Sequence, residues 1–140
     1  LKVESKNDAI PMSVGLCGGG PLQIRVPGSF PGSIGFNSSG SVFLEGAKIS
    51  DGSEKFTWET RDKVVGCGFD PLRRRVFFTV DGKEVHEIIP RAGDFAAPLY
   101  PTVAANVDVT VLVNLGQCPF KYPPANLSRS SNPVSVRTPE

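Results

Sequence analysis

Three consecutive arginines, Arg73 to Arg75, stand inside the otherwise apolar stretch "VVGCGFDPLRRRVFFTVDGKEV" and are the first residues whose type could do chemistry. Guanidinium groups that converge bind a phosphate or a carboxylate through paired hydrogen bonds. The first two arginines lie next to the Asp70-Pro71 turn, whereas the third begins the next strand, so the side chains point in different directions. We therefore expect a solvated hairpin corner, with a site for phosphate or an acidic partner as the alternative.

Carboxylates and metal-binding side chains give little support for catalysis. Hydrolysis of a glycosidic bond needs two acids that face each other across a cleft. The acids of this chain are scattered over predicted turns and strand ends: Asp51, Glu54, Glu59, Asp62, Asp70 and Asp81. The single histidine, His86, has no cysteine or second histidine near it in the sequence, so a metal site is not expected. We predict that the chain is not an enzyme and uses no cofactor.

The composition is that of an ordinary globular domain. The 140 residues carry 15 Lys+Arg against 14 Asp+Glu, which gives a formal net charge of +1 and no basic footprint for nucleic acid. No apolar run approaches the roughly 18 residues of a membrane span, so no membrane contact is expected. Cys17, Cys67 and Cys118 cannot all pair with one another, and free thiols favour an intracellular compartment, the cytoplasm or the nucleus.

Apolar residues alternate with polar ones, or form short runs between turns, along almost the whole chain. Strands spaced about ten residues apart with turns between them are typical of an antiparallel sandwich. The predicted fold is an all-β, two-sheet antiparallel β-sandwich over residues 1–124, followed by a polar disordered tail or linker over residues 125–140. The pattern predicts no helix, two strands within Gly32–Ile49, and further strands at Ile10–Cys17, Lys63–Phe69, Arg75–Val80, Lys83–Ile89, Leu99–Ala105 and Val107–Gly116.

The Asp81-Gly82 pair gives the clearest local prediction. Both residues tolerate the positive φ that a two-residue hairpin turn requires, so the strands on either side of the pair should form a hairpin. With the Asp70-Pro71 turn upstream, three strands would form a meander. On the middle strand, Val76, Phe78 and Val80 are expected to share one face.

Five blocks of the chain resemble the SPRY domain family. In chain order the blocks are "MSVGLC", "VPGSFPGSIGFNSSGSVF", "VVGCGF", "RVFFTVDGKEV" and "PLYPTVAANVDVTVLVNLGQCPFKY", and together they span about Val3 to Tyr122. The similarity is greatest to the branch typified by Ran-binding protein M. The family's tryptophan after "PG" is replaced by Ser29-Phe30. The family's first strands would precede Leu1, so the chain is expected to be a fragment of a longer polypeptide.

The resemblance implies a concanavalin A-like sandwich that is non-catalytic and binds a peptide or folded protein partner through loops at one end, within a larger protein. Two of the family's contact regions correspond to loops of this chain. One contains Gly18, Gly19, Gly20, Pro21 and Leu22, and the other contains Ala105, Asn106 and Val107. Bulky aromatic residues that some relatives use in these loops are absent, so a different ligand is expected.

Two aromatic residues in predicted loops, Phe30 and Trp58, are further candidates for partner binding. An exposed aromatic side chain makes a good interface anchor. Either ring could instead cover the edge of the core, and for Trp58 this alternative is the favoured one. The alternative function is a lectin-like carbohydrate-binding domain, for which Asn106 and Asp108 would be the candidate calcium ligands.

The expected absence of upstream strands has a consequence for association. An edge strand without its neighbour exposes backbone donors and acceptors that pair readily with another chain. We therefore expect that this chain could self-associate through an unpaired strand edge.

Overall fold

The computed structural model describes residues 12–18, 25–50, 57–58, 63–91, 98–106 and 108–127. Within these ranges there is no α-helix, which confirms the all-β class, and a 3₁₀ turn at Pro123–Leu127 ends the described chain. The eight strands are β1 (Met12–Gly18), β2 (Ser33–Asn37), β3 (Val42–Leu44), β4 (Ala47–Ser50), β5 (Val65–Asp70), β6 (Arg75–Val80), β7 (Lys83–Ile88) and β8 (Leu99–Ala105). None of the described residues forms a helix long and apolar enough to cross a membrane.

The strands form two antiparallel sheets that pack face to face. The larger sheet has the order β4-β3-β2-β1-β8, and the smaller one has the order β5-β6-β7. Phe36 on β2 meets Phe78 on β6 with their ring centroids 5.2 Å apart, and both side chains are fully buried. Alternating side chains from both sheets fill the core between them, as in other aligned sandwiches. The predicted two-sheet sandwich is therefore confirmed.

The predicted meander is the smaller sheet. Asp81 and Gly82 have φ of 50° and 82°, as a primed two-residue turn requires. At the other end of β6, one carboxylate oxygen of Asp70 accepts hydrogen bonds from the backbone N–H groups of Leu72 (3.0 Å) and Arg73 (3.3 Å). This carboxylate replaces backbone partners that the tight turn cannot supply.

The two loop aromatics both lie inside. Phe30 is only 9% exposed, so the expectation that its ring is exposed is wrong and the alternative that it lies at the edge of the core holds; its part in binding a partner stays a prediction. The Ser33 hydroxyl, which accepts from the Phe30 N–H and donates to the Phe30 carbonyl, curls this loop so that the ring turns inward. Trp58 is 1% exposed and packs on Phe36 at 5.9 Å, which confirms the alternative that it covers the core.

Two strand predictions differ from the structure. The predicted strand at Val107–Gly116 forms no β-ladder over residues 108–116, although Val109 and Val111 pack against the core. The second strand predicted within Gly32–Ile49 is divided into β3 and β4 by a turn at Glu45-Gly46, where both residues have positive φ. A tight hairpin of this kind turns the chain too sharply for an alternation count to detect.

The predicted tail begins with ordered residues. Residues 125–127 belong to the 3₁₀ turn, and the Asn126 side chain accepts from the Phe120 N–H (2.7 Å) and donates to the Phe120 carbonyl (2.9 Å). These paired bonds hold the turn against the preceding chain. Residues 128–140, the rest of the predicted tail, lie outside the described residues.

The smaller sheet lies over only part of the larger one. β5 lies against β1, Phe78 on β6 meets Phe36 on β2, and the His86 ring on β7 reaches the Gly40 carbonyl in the β2–β3 turn. We call this region, in which β6 and β7 lie over β2, β3 and β4, the covered half. β8 lies beyond β1 at the edge of the larger sheet, and β5 is the edge strand of the smaller sheet that lies against β1. We call β8 and β5 the open half, because their inward-facing residues Val103 and Phe69 are about 40% exposed.

Candidate binding surface

The sequence-predicted contact residues are only partly described. Gly18 is the last residue of β1, Ala105 is the last residue of β8, and Asn106 follows it in a bend. Ala105 and Asn106 are both exposed. The other predicted contact residues, Gly19, Gly20, Pro21, Leu22 and Val107, lie outside the described residues.

The strand ends from which the two predicted loops start lie apart. β1 and β8 are antiparallel neighbours, with Gly18 paired to Leu99 and Met12 paired to Ala105. The loop after β1 therefore leaves one end of the sheet, and the loop after β8 leaves the other. Six residue steps of strand separate them, which is about 20 Å. In the described residues, the two contact regions thus begin at opposite ends of this sheet, and their part in binding stays a prediction.

The loop beside Gly18 is held by an internal hydrogen-bond network. The Ser33 hydroxyl accepts from the Gly28 N–H (2.8 Å) and donates to the Phe30 carbonyl (2.7 Å). The Ser29 N–H and hydroxyl both donate to the Val26 carbonyl. Loops usually move because their backbone groups bond to water. In this loop the N–H groups of Gly28, Ser29 and Phe30 all bond within the protein, which gives the loop a defined shape.

The β3–β4 turn braces the same loop from the other side. The Gly46 N–H donates to the Gly28 carbonyl (2.7 Å), and a Glu45 carboxylate oxygen accepts from the Gly32 N–H (3.0 Å). Gly28 has a φ of 91°, a conformation that an L-residue rarely adopts. The Gly18 N–H donates to the Gly32 carbonyl (2.8 Å), which joins the end of β1 to this loop. We call the surface formed by Gly18 and the loop Arg25–Gly32 the Gly18 end.

The exposed side chains of the Gly18 end are of mixed character. Val26 is 46% exposed, and Arg25, Ser29 and Pro31 are exposed beside it. This set offers a small apolar contact, a cation and a hydroxyl on a rigid backbone, which suits recognition of a peptide segment. Sequence reasoning missed these four residues, although the two Pro-containing corners of "VPGSFPG" are a signal of a stiff turn.

At the end of the sheet opposite Gly18, the side chain of His86 connects the smaller sheet to the larger one. The His86 ring nitrogens lie 2.9 Å from the Gly40 carbonyl and 3.3 Å from the Ser50 hydroxyl. The ring also packs edge-on against Phe36 at 5.2 Å. His86 is therefore a structural link between β7 and the larger sheet. Asn106, which follows β8, lies at this same end and is exposed.

The three arginines do not converge, as predicted. Arg73 and Arg74 are exposed at the hairpin corner, whereas Arg75 is half-buried. Its guanidinium bonds to Glu84 at 2.6 Å and lies 4.7 Å from the centre of the Phe77 ring. The hydrogen bond to Glu84 raises the pKa of Arg75 further above its ordinary value. The run is a structural corner rather than a phosphate site.

Asp81 and Cys67 also have structural surroundings. Asp81 accepts hydrogen bonds from the Val64 N–H and from Lys63, each at 3.0 Å, and these bonds lower the pKa of its carboxyl group. Burial raises the pKa of the Cys67 thiol to about 12, which keeps it protonated. Among the described residues, no group of three or more His, Cys, Asp or Glu side chains could hold a metal ion.

Known proteins resemble this chain in sequence and in structure. The profile of the SPRY domain family matches residues 2–118. Protein ssh4 of Aspergillus clavatus is 29% identical, with 91% of this chain and 24% of that protein covered. The SPRY domain-containing protein C285.10c of Schizosaccharomyces pombe is 32% identical, with 67% of this chain and 26% of that protein covered. The chain thus spans about a quarter of the length of the curated relatives it matches.

A solved structure supports the fold. The crystal structure of a human SPRY domain superposes with a TM-score of 0.57 and 24% sequence identity. The superposition covers 71% of this chain and 63% of the human chain. At this identity the similarity concerns the fold and not the ligand.

Proposed function

The chain belongs to the SPRY domain family, and from this premise we propose that it is a non-catalytic module that binds a peptide or folded protein partner at the Gly18 end. The SPRY domain is a family of protein-interaction modules. We choose the Gly18 end as the binding surface because of one observation. The loop Arg25–Gly32 is held by hydrogen bonds within itself and to the β3–β4 turn. A preorganised loop loses little conformational entropy when it binds.

The chemistry of the surface suggests the kind of segment it would take. Val26 and Pro31 offer apolar contact, and Arg25 offers a charge-assisted hydrogen bond to a carboxylate. We propose an extended segment with a small apolar residue next to an acidic one. The loop that begins at Gly18 adjoins this surface, so the predicted contacts Gly19 to Leu22 would extend it. Asn106 would then lie outside the contact area, because it is at the other end of β1.

Three finer statements also belong to the proposal. The motifs quoted from the sequence support a proposed relation to the Ran-binding protein M-like branch. The curated relatives described above are named ssh4 and SPRY domain-containing protein. The proposed setting is intracellular, because Cys17, Cys67 and Cys118 are free thiols. We also propose that the chain is part of a larger protein, because it corresponds to about a quarter of those relatives. None of these statements affects the choice of surface.

The proposal is tested by selection followed by mapping. The chain is screened against a displayed library of random peptides and, in parallel, against an array of glycans. The selected peptide is then titrated into isotopically labelled protein, and backbone amide shifts are recorded. Shifts concentrated at Gly18, Val26 and Ser29 are expected. Shifts confined to Asn106 would contradict the assigned surface, and saturable glycan binding that a chelator abolishes would favour the lectin alternative.

A further inference from the structure

The turn that joins β5 to β6 displays an apolar side chain and two cations on the outside of the protein. It comprises residues 71–74, and we call it the Leu72 corner. Leu72 is 94% exposed, and the two arginines that follow it are also exposed. A leucine with this exposure adds almost no burial to the fold, so its apolar surface is available to another molecule.

Hydrogen bonds hold the backbone of the Leu72 corner in one shape. One carboxylate oxygen of Asp70 accepts from the N–H groups of Leu72 and Arg73, and the other lies 4.0 Å from the Arg75 Nε atom. Pro71 restricts its own φ. A turn held in this way loses little conformational entropy when a partner binds to it.

Arg74 has a backbone conformation that suits other residues better. Its φ is 50°, in the left-handed region where a residue with a long side chain is strained and glycine is not. Among the described residues, no hydrogen bond or ion pair to the Arg74 side chain offsets this strain. A residue that breaks a local rule without a structural gain is typical of a functional site.

The turns at the two ends of β6 differ in how their cations are paired. After β6, the Asp81 carboxylate lies 3.0 Å from the Lys63 Nζ atom and 3.5 Å from the Lys121 Nζ atom. Before β6, neither Arg73 nor Arg74 has an acidic side chain within ion-pair distance in the described part of the chain. The Leu72 corner therefore carries two positive charges that the described residues do not neutralise, beside an exposed leucine.

We propose that the Leu72 corner is a docking site in addition to the Gly18 end, and that it binds an acidic segment of a partner protein in which an apolar residue lies among several carboxylates. Charge complementarity favours this class of partner. Carboxylates would form charge-assisted hydrogen bonds with Arg73 and Arg74, and the apolar residue would cover Leu72.

The arginine geometry favours separate carboxylates over one phosphate group. Arg75 is held by Glu84 at 2.6 Å, so it does not join the other two arginines in a common pocket. Two exposed guanidinium groups that do not converge can each bind a different carboxylate of an extended segment. Such a contact should weaken as the salt concentration rises, because both cations are exposed.

A selected acidic peptide tests the Leu72 corner. A displayed library in which Asp or Glu alternates with apolar residues is selected on the full chain carrying Val26→Asp, so that peptides specific for the Gly18 end are not enriched. The selected peptide is then titrated by calorimetry into the parent chain and into corner variants. Leu72→Ser and Arg73→Ala should each weaken the affinity by about fivefold or more. The matched control Lys83→Ala removes an exposed cation beside the other turn of β6 and should leave the affinity within about twofold.

Arg74→Gly separates binding from folding. The substitution removes a cation and relieves the left-handed strain, so the melting temperature should rise by about 2 °C or more. The affinity for the peptide should nevertheless fall by about fivefold. If Arg74 served the fold instead, its replacement would lower the melting temperature.

Three results would overturn the inference. The first is that no acidic peptide is enriched, and the second is parent-like affinity in both Leu72→Ser and Arg73→Ala. The third is binding to vesicles of phosphatidylserine and phosphatidylcholine that depends on Leu72 and Arg73, without binding of the peptide, which would assign the corner to an anionic membrane surface. Peptide binding that weakens in all three corner variants and decreases with added salt supports the docking site.

Discussion

The covered half and the open half of this sandwich have the same alternation of apolar residues but differ in burial. In the covered half, Phe36 and Phe78 are completely buried against each other. In the open half, Phe69 and Val103 also face inward, yet each is about 40% exposed. Alternation decides which face of a strand an apolar residue occupies. Whether that face is covered depends on the facing sheet, which here has three described strands against five.

In the covered half, side chains also pack on the outer face of the smaller sheet. We call this group, Arg75, Phe77, Glu84 and Tyr122, the third layer. Phe77, on the opposite face of β6 from Phe78, packs on Tyr122 with ring centroids 5.4 Å apart. The Tyr122 hydroxyl donates to Glu84 (3.0 Å), which also pairs with Arg75. β6 is therefore packed on both faces, whereas Pro101 and Val103 of β8 are exposed even though they face inward. Stability should be concentrated around β6.

The largest predicted effect compares one inward residue from each half. Phe78→Ala should lower the free energy of unfolding by about 3–5 kcal/mol, because it leaves a cavity in a fully packed site. Val103→Ala should cost only about 0.5 kcal/mol, since the side chain is already partly in water. Urea denaturation followed by fluorescence measures both. Equal losses would contradict the division into two halves.

The second prediction concerns how the covered half supports the Gly18 end. A Cβ on Gly35 of β2 would overlap the Pro27 carbonyl oxygen, so Gly35→Ala should destabilise the domain by about 1–3 kcal/mol and shift the loop Arg25–Gly32. At Gly18, the nearest atom to an added Cβ is 3.6 Å away, which is an ordinary contact. Gly18→Ala should therefore melt within about 2 °C of the parent. A parent-like melting temperature for Gly35→Ala would show that the loop does not depend on this close approach.

The smallest predicted effect is the difference in stability loss between substitutions of Arg75 and Arg73 in the arginine run. Arg75→Ala removes the bond to Glu84 and the contact with Phe77, and should cost about 1–2 kcal/mol. Arg73→Ala changes an exposed side chain and should stay within about 0.5 kcal/mol of the parent. Chemical denaturation at low and at raised salt measures both, and the Arg75 loss should shrink as salt screens its ion pair. Similar losses for the two variants would contradict the assignment of Arg75 to the third layer.

Features that depend on neighbours in sequence could be predicted from the sequence. The Asp81-Gly82 turn, the limits of β6 and β8, and the inward face of Val76 and Phe78 are all local, and each is found in the structure. The burial of Phe30 could not be predicted in this way. It depends on the hydroxyl of Ser33, which bonds back to the Phe30 backbone and turns the loop.

The positions of the candidate contact residues could be worked out only after the pairing of the strands was known. The family resemblance predicted two contact loops, Gly18–Leu22 and Ala105–Val107, at one end of the sandwich. Once β1 and β8 are known to be antiparallel neighbours, the loops that follow them must start at opposite ends of the sheet. No local pattern specifies which strands become neighbours, because that depends on contacts distant in sequence. For the same reason, the exposure of Val103 on the inward face of β8 could not be deduced from the strand list.

The most direct test of the proposed function compares binding at the two ends of β1. Val26→Asp and Asn106→Asp place the same residue at the Gly18 end and at the far end, and the peptide selected on the parent chain is titrated into each by calorimetry. We expect Val26→Asp to weaken the affinity for the peptide by about tenfold or more, equivalent to about 1.4 kcal/mol. Asn106→Asp should leave this affinity within about twofold of the parent value. Loss of binding in Asn106→Asp with parent-like binding in Val26→Asp would contradict it.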